Sequence, residues 1–151
     1  MTRKYVATKS FDVSREVPGQ QASQWTTDQL ADEVALRHGP RNEENFALSA
    51  RDEAGGWIGG INGLIHWRWL YIRQFYLLPD WRGNGLGRAL LAEAEVLARE
   101  SGCVGLYLDT FDPGALDFYR KCGFEIVGRI ENFPSGAART FLSKSLAPAS
   151  A

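Results

Sequence analysis

The sequence predicts an α/β protein built around a mixed sheet, and three observations carry that expectation. Apolar and polar residues alternate through short segments from position 45 onward, the period of half-buried strands. The segments after the glycines at 83–87 and after Pro113 repeat instead at three and four, as helices lying on a core do. An apolar strand precedes and follows the first of these helices. Such a crossover is right-handed and returns to the same sheet, so its two strands run parallel.

The chain has 151 residues, 44% hydrophobic and 23% charged, with a formal net charge of −1. One domain spanning 1–151 is expected, large enough to bury roughly 70% of its unfolded surface. There is no broad basic field for nucleic acid. No apolar run approaches the roughly 20 residues that span a bilayer. The opening Met-Thr-Arg-Lys-Tyr leads into no apolar signal core. Cys103 and Cys122 form neither a disulfide framework nor a metal-ligand cluster, so no metal and a reducing cytoplasm are expected.

In chain order, residues 5–11 read as a strand and Pro18-Gly19 as a loop. Leu30, Val34 and Leu36 suggest a helix of about ten residues, capped by Thr27 or Asp28 and ended by Gly39-Pro40. Asp32, Glu33, Glu43 and Glu44 form a solvated face or attract a cationic amine. Phe46, Leu48 and Ala50 mark a strand, 52–56 a hairpin turn, and 57–66 a second strand. Glycines 59, 60 and 63 inside it signal close approach by backbone or ligand. His66 at its end is either a half-exposed polar residue or a general base.

The stretch around which the chain is organised is the next one. Residues 69–78 form a strand, 79–81 turn it, and 82–88 read Arg-Gly-Asn-Gly-Leu-Gly-Arg. A helix over 89–101 follows, with Leu90, Ala94, Leu97 and Ala98 on its core face and Gly102 at its end. The first N–H groups of a helix lack partners, and its dipole favours an anion there. Glycines let a phosphate reach that backbone, and Arg82 and Arg88 add charged donors. Arg88 stands where the dinucleotide fingerprint needs glycine, and no Gly-Lys-Ser/Thr of a P-loop follows. The competing reading is a tight turn whose glycines serve the backbone alone. After this come a strand over 103–108, a helix from Asp112-Pro113 to Gly123, and strands over 124–130 and 140–146. Residues 147–151 read as a frayed tail.

The pattern Arg82-x-x-Gly85-x-Gly87 resembles the acyl-coenzyme A loop of the GNAT superfamily of N-acetyltransferases. Phe118-Tyr119-Arg120-Lys121-Cys122-Gly123-Phe124 is similar to the segment closing that family's second helix. Asp109-Thr110-Phe111 and Phe133-Pro134-Ser135-Gly136 resemble a small bacterial-type branch of undefined acceptor. The resemblance covers about residues 45–146. It implies a GNAT-like, mainly antiparallel sheet of six or seven strands, flanked by helices, in which one parallel pair splays to admit acetyl-CoA. It implies further that Phe75, Tyr76 and Leu77 pair with the pantetheine arm. Gly83, Asn84, Gly85, Leu86, Gly87 and Arg88, beside Arg82, would surround the pyrophosphate.

Asp112 stands where many members have asparagine near the pantetheine. Tyr119 occupies the place of the tyrosine beside the thioester sulfur. Some relatives use glutamate as a base at the position of Tyr107, so the base is unassigned. The implied activity is acetyl transfer from acetyl-CoA to a primary amine of a small molecule or peptide, with a homodimer possible and neither nucleic acid nor membrane as partner. The alternatives are a non-catalytic acyl-CoA sensor, or a structural domain keeping only the fold.

Acyl transfer makes three demands of such a chain. The amine must attack in its neutral form. The carbonyl oxygen needs a donor as it gains charge, and the backbone N–H of Leu77 on a distorted strand is the candidate. The leaving thiolate needs an acid, which the Tyr119 hydroxyl can supply; the competing role for Tyr119 is a core aromatic. Trp67, Trp69, Tyr71 and Phe133 line an acceptor pocket, a dimer interface or the core.

Overall fold

The computed structural model describes residues 1–6 and 8–146. The tail at 147–151 therefore lies outside the described residues. These fall into two compact units, one within Met1–Arg41 and one within Asn42–Ala151.

The first unit is a hairpin and a helix. Strands β1 (Thr2–Val6) and β2 (Ser10–Ser14) pair antiparallel, and Tyr5 stacks on Phe11 with ring centroids 5.4 Å apart. Instead of the one strand expected over 5–11, Tyr5 and Val6 belong to β1 and Ser10 and Phe11 to β2. Helix α1 (Gln21–His38) has 18 residues, well beyond the ten expected. Thr27 and Asp28 do not cap it. The Thr26 and Thr27 hydroxyls donate to the carbonyls four residues back, Ala22 and Ser23, and Gln24 donates to Asp28. Threonines can bond within a helix as well as begin one, so the residue type alone does not mark its start. Gly39, at φ 77°, ends the helix as expected. No side chain of α1 is buried.

The second unit is a six-stranded sheet in the order β3-β4-β5-β6-β8-β7. Its strands are β3 (Glu44–Arg51), β4 (Trp57–His66), β5 (Trp69–Leu77), β6 (Gly105–Thr110), β7 (Glu125–Glu131) and β8 (Ala138–Ser145). Every neighbouring pair is antiparallel except β5 and β6, which run parallel across the crossover helix α2 (Leu86–Glu100). Helix α3 (Pro113–Lys121) joins β6 to β7. Leu70, Ile72, Leu106, Leu108 and Leu142 from the sheet meet Leu90, Leu91, Ala94 and Ala98 from α2, with Tyr119 and Phe124 at one side. Lys144 on β8 donates to Glu95 of α2 at 3.0 Å and to the Cys122 carbonyl at 2.9 Å, tying both helices to the sheet. Burial opposes ionisation of Glu95, but hydrogen bonds from Lys144 and Arg99 outweigh it and hold the carboxyl below its usual range. Glu95 thus pairs both with Arg99 on its own helix, at 3.1 Å, and with Lys144 on the sheet.

Two features of β5 open the site. Its pairing with β6 runs from Trp69↔Gly105 to Ile72↔Leu108 and stops. At the next residue β5 bulges: Gly63 pairs Ile72 while Asn62 pairs Gln74, which leaves Arg73 extra. A bulge bends and twists its strand, here away from β6. It also shifts the alternation, so Leu70 and Ile72 and then Phe75 and Leu77 all face the core. Gly63 sits opposite, where a Cβ would lie 1.8 Å from the Tyr71 carbonyl oxygen. Only glycine permits that approach.

Candidate active site

Where β6 leaves β5, a cleft of about 1390 Å³ opens, lined by Phe75, Tyr76 and Leu77 on one wall and by Leu108, Asp109 and Tyr119 on the other. The backbone of β5 faces it. Leu78 donates to the Ile58 carbonyl at 2.9 Å. Bonded pairs alternate in an antiparallel ladder, so Tyr76 and Gln74 also bond to β4, while Phe75 and Leu77 turn their amides toward the cleft. The Leu77 carbonyl accepts from Arg82 Nε at 3.1 Å, as that orientation requires.

At one end of the cleft lies the glycine loop. A 3₁₀ turn at Pro79–Trp81 leads into it. Gly83 and Gly85 have φ of 77° and 93°, left-handed values that favour glycine, and no atom lies within 4 Å of where their Cβ would stand. The loop therefore presents bare backbone to open space. Helix α2 starts at Leu86, three residues before the expected Ala89, because left-handed Gly85 already serves as its N-cap residue. Gly87 and Arg88 are thus helical. A Cβ on Gly87 would lie 3.2 Å from Phe118 and 3.4 Å from Leu77, so this glycine serves close packing. Arg82 lies 5.3 Å from the Tyr76 ring centroid and, with Arg88, lines the cleft. Asn84 and Leu86 belong to the same turn and first helical residue.

Tyr119 comes from α3, whose first turn Asp112 caps by accepting from the Gly114 N–H at 2.9 Å. That bond occupies one carboxylate oxygen of Asp112, which also lines the cleft. The Tyr119 ring meets Phe75, Phe118 and Phe124 edge-on at 6.3, 5.4 and 5.9 Å. Only 8% of the residue is exposed. Burial, with Asp112 adding to it, pushes the phenol up to about 12. The hydroxyl has no hydrogen-bond partner among the described residues.

The opposite sheet face carries an array the sequence did not reveal. Asp109 Oδ1 accepts from the Tyr71 hydroxyl at 2.9 Å, and Oδ2 accepts from Arg139 at 2.9 Å. Arg139 lies 4.3 Å from the Phe133 ring centroid. Tyr71 stacks on Tyr107 at 4.7 Å, and Tyr107 shares a 2.7 Å hydrogen bond with His66 Nε2. His66 is not among the residues that line the cleft. Trp69 packs edge-on against Tyr107, and Trp67 is 36% exposed at the β4–β5 turn. The four aromatics grouped by sequence thus separate into the Tyr107 stack, the Arg139 stack and the surface. The signal for the bulge lay in the sequence as a phase change, apolar residues at 70 and 72 and then at 75 and 77. Asp109 gave no comparable signal, since its partners lie 38 and 30 residues away in the chain.

A second cavity of about 680 Å³ shares the 110–112 wall and extends to Asn132 and Thr140. Cys103 and Cys122 are free thiols, and Cys103 is buried. Among the described residues no three His, Cys, Asp or Glu side chains are placed to hold a metal. Among the described residues no helix is long and apolar enough to cross a membrane.

The Acetyltransferase (GNAT) family matches residues 9–124. The chain is 37% identical over 117 residues to blasticidin-S acetyltransferase from Streptomyces morookaense, covering 74% of this chain and 86% of the relative. A solved structure from Agrobacterium tumefaciens superposes with a TM-score of 0.76 at 31% identity, covering 89% of this chain and 98% of that one. Another, from Bacillus anthracis, is described as a streptothricin acetyltransferase in complex with acetyl coenzyme A. It superposes with a TM-score of 0.62 at 26% identity, covering 71% and 64%.

Proposed function

The chain belongs to the GNAT acetyltransferase family and is an acetyl-CoA-dependent enzyme, and from that premise we propose that it moves the acetyl group directly onto a primary amine of a small molecule. The observation that carries this reading is the gap between β5 and β6, with a glycine loop at one end and Tyr119 in its wall. The relative named for blasticidin S supports a small amine-bearing antibiotic over a peptide as acceptor.

The residues divide the work as follows. The loop at 83–88, with Arg82, receives the pyrophosphate at the positive end of α2. The cleft-facing amides of Phe75 and Leu77 serve the pantetheine and the thioester. Leu77 lies beside Arg82 at the loop end, whereas Phe75 lies against Tyr119. This reading moves the oxyanion donor from the Leu77 N–H expected from the sequence to Phe75 N–H, and leaves Leu77 to pair with the pantetheine arm, while the Tyr76 amide stays on β4. One such donor contributes roughly 3–4 kcal/mol. Asp112 holds α3, and with it Tyr119, at the sulfur. A phenol near 12 stays protonated at neutral pH. Complete proton transfer to a thiolate of pKa about 8.5 is uphill by roughly 3–4 units, on the order of 5 kcal/mol. Tyr119 thus acts mainly by hydrogen-bonding the sulfur as its charge grows.

The test is a coenzyme A-release screen over an amine panel that includes blasticidin S, with no-acceptor controls. Amine-dependent release on at least one acceptor is the expected result. Release at the control rate for every amine, with acetyl-CoA still bound, would instead fit a non-catalytic sensor.

The two units are read as one domain, since the family match begins within the first and ends within the second. Free thiols suit the reducing cytoplasm. A homodimer belongs to the same reading. β7 is an edge strand of the six-stranded sheet, and its Ile126, Val127 and Ile130 are 41, 63 and 47% exposed. An exposed apolar edge is a template for pairing with a second copy. Light scattering at micromolar concentration should give twice the chain mass, and a charge at Val127 should lower it. A monomeric mass for the unaltered chain would refute the dimer.

A further inference from the structure

We propose that the Asp109 carboxylate is the acceptor-side catalytic group, which binds the incoming amine and takes its proton. The assignment rests on the amine-acetylation reading above. The pairing of β5 with β6 stops after Ile72↔Leu108. Asp109 is the first residue of β6 past that point. Leu108 faces the core with Tyr119, so Asp109, its neighbour, faces the other side of the strand. The gap is therefore bracketed by a phenol on one face and a carboxylate on the other. An acyl carbon in the gap would present its sulfur to the phenol and its open side to the carboxylate.

Among the described residues two carboxylates line the cleft, and Asp112 caps α3. Asp109 is only 14% exposed yet reaches the cleft, and each of its oxygens has a fixed partner, Tyr71 or Arg139. A carboxylate oxygen has two lone pairs, so each keeps one for an N–H of the acceptor. Tyr71 remains a donor, since burial and the adjacent Asp109 push its phenol up to about 12. Tyr71 and Arg139 are positioning residues. Arg139 is itself fixed by the Phe133 ring.

In the transfer, the amine nitrogen bonds to the acetyl carbon and the carbon–sulfur bond breaks. The surplus proton on nitrogen passes to Asp109 and then to solvent. The departing sulfur leaves as a thiolate held by the Tyr119 hydrogen bond and takes its proton from solvent. The products are the acetylated amine and coenzyme A.

The experiment measures steady-state coenzyme A release on the best amine of the panel, beside direct acetyl-CoA binding. Asp109→Asn should lower kcat/KM for the amine by about 100-fold or more, with acetyl-CoA affinity unchanged within about threefold. Asp109→Glu, which restores the charge, should recover part of the loss. Because Asp109→Asn leaves Arg139 without its counter-ion, the pair Asp109→Asn/Arg139→Gln is measured too; it removes both charges and should stay as slow. Recovery of turnover in that pair, or a single variant within about threefold of the unaltered enzyme, would overturn the assignment. If the unaltered enzyme turns over no amine, the amine reading fails and takes this assignment with it. If it turns over and Asp109→Asn matches it, the assignment alone fails.

Discussion

Tyr119→Phe should lower turnover about 100-fold while acetyl-CoA binds nearly as before. The magnitude follows from the site. A hydrogen bond to a charged partner contributes roughly 1.5–3 kcal/mol, and 3 kcal/mol corresponds to somewhat more than 100-fold. A full proton transfer would give up to 10⁴-fold, but a phenol near 12 is too weak an acid to protonate the thiolate outright. Phenylalanine keeps the edge-on contacts with Phe75, Phe118 and Phe124. It removes only a hydroxyl that no described residue engages, so the melting temperature should hold. The raised pKa adds a check by its sign. An ordinary tyrosine would ionise from pH 10 and lose its donor, whereas turnover here should show no loss from this group until pH approaches 12. Unaltered turnover across thioesters with poorer leaving groups would make Tyr119 a packing residue.

The second large effect concerns the loop. Acetyl-CoA at about 100 times its dissociation constant should stabilise the protein by roughly 2.7 kcal/mol, a rise in melting temperature of about 5–11 °C. Gly85→Trp should abolish most of that rise. Tryptophan at φ 93° brings its own backbone strain, on the order of 1–2 kcal/mol, and so lowers the unliganded melting temperature as well. Gly85→Ala carries the same strain without the bulk. The difference between the two variants isolates the steric block, and it is clean because the space beside Gly85 is open. Equal ligand shifts in unaltered, alanine and tryptophan proteins would remove the pyrophosphate from this loop.

Several strands of this molecule were legible in advance because their information is local. The alternation of Phe46, Leu48 and Ala50 and the 52–56 turn gave the first hairpin of the sheet, and Asp52 closes it by accepting from the Gly56 N–H. Leu90, Ala94 and Ala98 gave the buried stripe of α2. Asp112-Pro113 gave the start of α3 and Gly123 its end, which together fixed the face on which Tyr119 stands. Glycines 59, 60 and 63 forecast close approach, and a Cβ at each would meet another atom within 3.0 Å.

The sequence by itself determined the order of the elements, the parallel crossover, the glycine turn at a helix start and the place of Tyr119. Each depends on a period, a cap or a residue that alone tolerates a given φ, and all of these act within a few residues. Tertiary structure decided the rest. Helix α2 could start at Leu86 only once Gly85 had taken its left-handed φ. β5 had to bulge at Arg73 for β6 to part from it, and that depends on Gly63, ten residues back on another strand. Asp109 became a candidate catalytic group only when β5 and β8 brought Tyr71 and Arg139 to its two oxygens. A carboxylate's role is set by what surrounds it, and its surroundings come from strands that the chain reaches tens of residues away.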